Sequence, residues 1–479
     1  MQGTIDYAPT DAPTPRRPIW ELLFIALPTI AQMASYTVAQ FIDTYMLSHS
    51  SDVEATAAGQ AGLISFTVIS FGFGVMMLVN ALVSQSAGRG DLPACGQFMW
   101  QGVWSGLLLG ACCVPVAFLG GPLFRALGHP AELARHEAAF FTTTVAFAAF
   151  KLCGMALEQF MLAVQRPNVV LLAAVAGVCC MIPFNYTFIY GHFGMPRLGV
   201  VGAAWGLNLA VIVEGGIVAA VIAFTGVGRK YGCGDWRLRW DKLRTLLVTG
   251  IPSGVQVVAE VAAWSMFTAW VIGAFFPQPV LAANVYTFRY MSVSFMPAFG
   301  LSTAVTALVG RYIGMGKPDV AAARAHLGFK VAAVYMMLCG VFFFAFRKQL
   351  IGLFSHDPAV IEAGGILLLL AGVYQFFDAM YIVYNGALRG AGDTFVPAVT
   401  VGSLCWTMTV GGGALMAWQF GPRMGVLAPW LAAAAYGVVV GLFLMLRFTR
   451  GRWRAIRLDR GDASANVPNL DPATAAASA

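Results

Sequence analysis

Residues 73–90 read FGVMMLVNALVSQSAGRG, and residues 299–316 read FGLSTAVTALVGRYIGMG. Phe73, Gly74, Val79, Ala81, Leu82, Val83, Gly88 and Gly90 recur as Phe299, Gly300, Val305, Ala307, Leu308, Val309, Gly314 and Gly316, all at a shift of 226. Eight identities in eighteen positions exceed the roughly one or two expected even from so Ala/Gly/Val-rich a chain. Outside this stretch, Pro28 and Gln32 match Pro252 and Gln256 at a shift of 224. Pro196-Arg197-Leu198-Gly199-Val200 matches Pro422-Arg423-Met424-Gly425-Val426, again at 226. The chain is a duplication.

Both copies are apolar, and so is most of what surrounds them. Hydrophobic residues make up 59% of the 479 and charged residues only 11%, against about 25% charged in an average soluble chain. A globule with so little polar surface cannot stay in solution. Apolar stretches long enough to cross a bilayer run roughly over 19–47, 63–86, 98–119, 140–164, 169–190 and 201–224. A second six runs over 246–276, 283–309, 327–346, 364–388, 396–418 and 427–446. Six is even, so both halves start on the same side of the membrane and the repeat is parallel. Such halves pack around an axis along the membrane normal, with a cavity where they meet. The predicted fold is an all-α polytopic membrane protein, with twelve transmembrane helices in two six-helix lobes. The expected divisions are an N-terminal segment 1–18, lobes 19–225 and 246–449, a basic linker 226–245, and a disordered polar tail 450–479.

Counting Lys and Arg orients the chain. With the N-terminus inside, the cytoplasmic segments hold 21 of the 29 and the outer loops 6; Lys151 and Arg289 lie within spans. That excess predicts both termini in the cytoplasm. The net charge of +7 is thereby explained by membrane borders, and nucleic acid is not an expected partner. The nine cysteines include no CxxC pair and read as small buried hydrophobes. The polar, proline-rich start leads directly into a long apolar helix, so the first span is expected to be retained as an anchor.

An ionisable group at mid-membrane costs several kcal/mol unless paired, hydrated or neutralised. The spans hold five acids, Asp43, Glu158, Glu214, Glu260 and Asp378, against the two bases, and an acid-rich interior attracts cations. Gln32, Tyr36, Gln40 and Asp43 follow at intervals of 4, 4 and 3, on one face of the first helix. Gln256, Glu260 and Trp264 form a similar stripe in the seventh; Tyr374, Asp378, Tyr381 and Asn385 form one in the tenth. A polar face on such a helix looks onto a wet cavity, and aromatic rings beside carboxylates suit organic cations. Three structural alternatives stand beside this reading: Glu260 paired with Arg289, Asp43 merely solvated at a mouth, and Glu158 paired with Lys151 two turns away. For Glu158 and Glu214 the structural role is preferred.

The Pro28…Asp43-Thr44 helix resembles the multidrug and toxic compound extrusion (MATE) family, most closely its NorM-like branch. So do Asn185-Tyr186…Gly191…Gly194-Met195-Pro196…Gly199-Val200-Val201-Gly202-Ala203-Ala204 and Gly386-Ala387-Leu388-Arg389-Gly390-Ala391-Gly392-Asp393-Thr394. The similarity runs from about Ile19 to Leu446. It implies a monomeric, multi-pass antiporter of the bacterial inner membrane, with lobes in a V, that exports cationic amphipathic drugs against Na+ or H+ and needs no cofactor. It also implies a cation site at Glu260 and Asp378, Na+ being a candidate ligand there, with Tyr374 one turn away, and places Asp43 with Asn185 in the first lobe. NorM-like sequences often carry a second asparagine one turn before Asn185. This chain has Met181 there, which moves the expected ion site to the second lobe.

The mechanism expected is competition. A cation bound at the carboxylates neutralises them and lowers the cost of closing the cavity, so drug and coupling ion exclude one another. Pro28 and Pro252 supply equivalent bending points. A lipid-linked saccharide flippase is the runner-up, but it needs cavity cations for a pyrophosphate, the opposite sign to this interior. A major-facilitator sugar carrier lacks its Arg-rich loop here, since the chain reads Gly88-Arg89-Gly90-Asp91-Leu92-Pro93. No HExxH or GxSxG motif among only six histidines favours an enzyme. Saturable counter-flow separates a carrier from a channel.

Overall fold

The computed structural model describes residues 18–456; the expected N-terminal segment apart from Pro18, and residues 457–479 of the expected tail, lie outside them. Within this range the chain is helical, and no strand occurs among the described residues. The first six spans are α1 (Pro18–Ser48), α2 (Asp52–Arg89), α3 (Leu92–Ala117), α4 (Ala131–Ala146 with Ala148–Ala163), α5 (Pro167–Tyr190) and α6 (Val200–Phe224). The second six are α7 (Trp240–Phe275), α8 (Gln278–Gly314), α9 (Pro318–Gly352), α10 (Pro358–Ala391), α11 (Phe395–Met424) and α12 (Leu427–Thr449). Most run beyond their apolar cores because the flanking turns are themselves capped. Asp91 and Asp357 accept hydrogen bonds from the first-turn amides of α3 and α10, and Gly90 and Gly392 end α2 and α10 in left-handed backbone.

The expected fourth span differs. It is a bent pair, Ala131–Ala146 and Ala148–Ala163, meeting at 47°. Counted as one span, α4, it completes the expected twelve. The break sits at Phe147, whose φ/ψ leave the helical region and whose ring packs on Phe150 and Trp205. The basic linker is also more ordered than its polarity suggests. Trp100 and Trp104 of α3 donate to the Cys233 and Trp236 carbonyls, while Gln101 bridges Arg237 and Arg239. Beyond α12, Trp453 folds back to stack on Phe448 at 5.0 Å.

The duplication is physically visible where the halves meet. Phe73 and its repeat mate Phe299 stack with ring centroids 6.2 Å apart. A Cβ at Gly74 would lie 2.6 Å from the Ser253 carbonyl of α7, and one at Gly300 would lie 3.0 Å from that of Thr29 in α1. Ser253 and Thr29 are themselves equivalent at the shift that relates Pro252 to Pro28. Thr29 also donates to the Gly300 carbonyl at 3.0 Å. Thus α2 packs on α7 as α8 packs on α1, which is what a parallel two-fold repeat requires.

At the end bearing Arg89, Arg311 and Arg389, the halves close tightly. A Cβ on Gly88 would strike the Arg311 carbonyl and one on Gly314 that of Gln85, while each comes within 2.9 Å of the other glycine's Cα. Gln85 donates to the Gly390 carbonyl across the seam at 2.9 Å, and Glu21 of α1 accepts from Tyr312 and Arg324 of α8 and α9 at 2.6 and 2.7 Å. Within the second half, Arg447 grips Asp393 with two bonds of 2.7 and 2.8 Å. Asp393→Ala leaves that guanidinium nearly buried without its acceptor. We expect a loss of about 3 kcal/mol, read as a lower melting temperature in detergent; an unchanged melt would show the pair to be dispensable.

Candidate functional site: two clusters of interior carboxylates

In the second half, α7 and α10 bring Glu260 and Asp378 together. Glu260 accepts a 2.5 Å hydrogen bond from the Tyr381 hydroxyl. Asp378 is buried and close enough to Glu260 for the two carboxylates to repel each other. It has no hydrogen-bond or ion-pair partner among the described residues. Tyr374 lies buried beside Asp378, its ring accommodated because position 437 of α12 is glycine, where a Cβ would collide with it. Gln256, buried one turn before Glu260, lies alongside the same carboxylate with its Nε2 outside hydrogen-bond geometry. Asn385 is buried one turn beyond Tyr381. Trp264 packs edge-on to Phe288 and Tyr436 at 5.4 and 6.3 Å.

Two features of this cluster were not evident in the sequence. Tyr436 of α12 faces Glu260; its signal was a tyrosine beside Gly437 in an otherwise apolar span. Arg389, at a helix end that reads as a membrane border, is buried at the end of α10, with Nη1 2.9 Å from Met77 Sδ, and acts electrostatically on Glu260. Arg289 does not take that part. It is exposed and forms no ion pair with Glu260 among the described residues. Both α7 and α11 carry a π-helical stretch, 267–272 and 405–412; such stretches often mark functional sites.

In the first half, Asn185 of α5 donates to Asp43 at 2.9 Å, while its Oδ1 stays buried without a donor. Gly206 makes room for that amide, since a Cβ there would collide with it. Gln40 is exposed. Met181 is buried with Ala39 and Ala210, an apolar layer where a second asparagine is expected. Below that layer, Gln32 donates to the Tyr36 hydroxyl at 3.0 Å and to Glu158 at 3.2 Å, and Tyr36 donates to Glu214 at 2.6 Å. The sequence-based pairing of Glu158 with Lys151 does not occur: no ion pair joins them among the described residues.

Glu260 is thus held by a neutral phenol donor and Asp378 lies among aromatic rings without a donor, with no salt link to either among the described residues. A duplicated helical bundle with such an interior has the architecture of a membrane transporter. The chain belongs to the MatE family, whose profile matches residues 28–187 and 252–408. The two matched segments begin at the repeat-related prolines. Among relatives, it is 28% identical over 487 residues to the multidrug resistance protein PmpM of Pseudomonas aeruginosa, covering 94% of this chain and 96% of that protein. It is 30% identical over 471 residues to the probable multidrug resistance protein NorM of Pseudomonas syringae pv. tomato, covering 94% and 98%. Its fold is similar to that of the eukaryotic MATE transporter AtDTX14, with a TM-score of 0.82 and 19% identity over 91% of this chain and 97% of that one. An outward-facing MATE transporter of the MOP superfamily matches with a TM-score of 0.80 and 18% identity over 90% and 96%.

Proposed function

We propose that this chain is a secondary-active antiporter of the bacterial inner membrane, exporting cationic amphipathic compounds in exchange for Na+ or H+. The observation that carries the reading is the pair Glu260 and Asp378, brought together by α7 and α10, Asp378 buried and Glu260 part-buried, with no ion pair to either among the described residues. Such a pair gains most from a cation, whether H+, Na+ or an organic ammonium. The rings of Tyr374, Tyr381, Tyr436 and Trp264 favour the last of these. An occupied site is less costly to seal from water than an empty one, so passage of one cation inward and another outward alternates. The membrane potential adds about 2.3 kcal/mol per net charge moved inward per 100 mV.

Residues 19–225 and 246–449 act as the two moving bodies, monomerically, with Pro28 and Pro252 as equivalent bending points. With both termini cytoplasmic, the seam at Gly88 and Gly314 closes the inner side, and the arrangement described here faces outward. Asp43 with Asn185 lines the first-lobe wall of the same path. A lipid-linked saccharide flippase fits less well, because carboxylates outnumber basic groups in both interior clusters.

Everted vesicles with separately imposed gradients test this reading. Loading with a fluorescent lipophilic cation is expected to be driven by either an imposed pH gradient or an imposed Na+ gradient. Accumulation unaffected by both would overturn ion-coupled antiport.

A further inference from the structure

The first-lobe cluster of Gln32, Tyr36, Glu158 and Glu214 sits in the same three helices of its repeat as the Glu260 cluster does in the other. Each draws on the first, fourth and sixth helix of its half: α1, α4 and α6 against α7, α10 and α12. Gln32 and Gln256 are equivalent at a shift of 224, and the same shift pairs Tyr36 with Glu260. Each lobe has a tyrosine–carboxylate hydrogen bond anchored on its first helix, with the acid and the phenol exchanged at that anchor. In the second lobe the acid is on the first helix and the tyrosine on the fourth (Tyr381 to Glu260, 2.5 Å); in the first lobe the tyrosine is on the first helix and the acid on the sixth (Tyr36 to Glu214, 2.6 Å).

The cluster also lacks a positive charge. Glu158 and Glu214 repel one another, and Tyr36 is the other titratable group that faces them. No titratable side chain of α5, or of α2, α3 or α8 packed on α4, acts on either carboxylate among the described residues. Glu214 is sealed behind Gly177 of α5, while Glu158 is only partly covered. Gln32 is 2% exposed; its Nε2 serves both Tyr36 and Glu158, yet its Oε1, on the same amide, has no donor. An acceptor held idle inside a doubly acidic cluster marks a missing donor, and a half-turn of the amide sets that oxygen against Glu158.

We propose that Glu158 and Glu214 share one exchangeable proton, giving the first lobe a proton site separate from Glu260 and Asp378. Two carboxylates joined through one neutral hydrogen-bond chain, Glu158 to Gln32 to Tyr36 to Glu214, with no counter-charge do not both ionise. The proton arrives on hydronium, whose O–H bond breaks to leave water as the O–H bond of Glu158 forms; no bond in the protein breaks. Tyr36 and Gln32 are positioning residues: Tyr36 stabilises whichever charge rests on Glu214, and the Gln32 amide donates to ionised Glu158 or accepts from its acid form.

Infrared pH titration of the full-length protein in lipid tests this in the Glu260→Gln/Asp378→Asn background. That background removes the two carboxyls of the second-lobe site, and the readout is independent of whether the protein exports drugs. A carboxylic-acid C=O band is expected to persist at neutral pH. Either Glu158→Gln or Glu214→Gln alone should abolish the whole band, because the remaining carboxyl has lost its rival. Tyr36→Phe, which keeps both acids and the core, should shift the band's frequency and its midpoint. Three results would overturn the proposal: no band at neutral pH, a band from which each single variant subtracts only its own share, or a band that falls with added NaCl but not choline chloride at constant pH, which would assign the pair to sodium.

Discussion

Glu260→Gln is expected to reduce ion-driven drug export by at least about tenfold, and Asp378→Asn by a similar factor, with normal amounts of folded protein in the membrane. Glutamine has nearly the shape of glutamate and still accepts from Tyr381, so packing around α7, α10 and α12 is preserved. What disappears is the charge. A tenfold loss corresponds to about 1.4 kcal/mol, modest beside the several kcal/mol that an unneutralised carboxylate costs inside a membrane. The amide mimics a permanently occupied site: it neither attracts a cation nor needs one to close. Export assays at matched expression check this. Full activity in both variants would remove the second-lobe site from the mechanism.

Gly88→Leu is expected to abolish transport by a different route. The added side chain meets backbone on α8, at the Arg311 carbonyl and the Gly314 Cα, and backbone cannot swing aside as a long side chain can. The halves must separate at that end, breaking the Gln85 to Gly390 bond. Gly314→Leu, the repeat-related change, meets the Gln85 carbonyl in the same way. Each half keeps its own core, so both variants should fold. Hydrogen exchange around residues 85–90 and 311–316 should accelerate in both, with drug efflux lost. Wild-type protection in either would mean that the close glycine contact is not needed to seal the seam.

Much of this was legible in the sequence because membrane helices are long, apolar and repeated. The 226-residue shift located the two halves, and in three dimensions it pairs Phe73 with Phe299 and Gly88 with Gly314 across the axis. The polar stripes on α7 and α10 were legible because helical spacing alone puts Glu260 and Asp378 on internal faces. What was not legible depends on contacts between distant helices. Periodicity links Lys151 to Glu158 but cannot show Gln32 reaching Glu158, or Tyr36 reaching Glu214 178 positions away. The same limit hid Tyr436, and hid the burial of Arg389, whose place at a helix end reads as a border charge until α2 is seen packed over it. The bend at Phe147 carries neither proline nor glycine, so no local signal announced it.

The central claim is that drug and coupling ion take turns on the same second-lobe carboxylates. Equilibrium binding of tetraphenylphosphonium to the purified protein in lipid nanodiscs, across a series of Na+ concentrations and pH values, tests it directly. Competition predicts an apparent Kd that rises in proportion to the coupling ion once the ion exceeds its own Kd, and a dependence that vanishes in Glu260→Gln. A Kd that stays constant while the ion demonstrably binds would mean both are held at once, which contradicts the account.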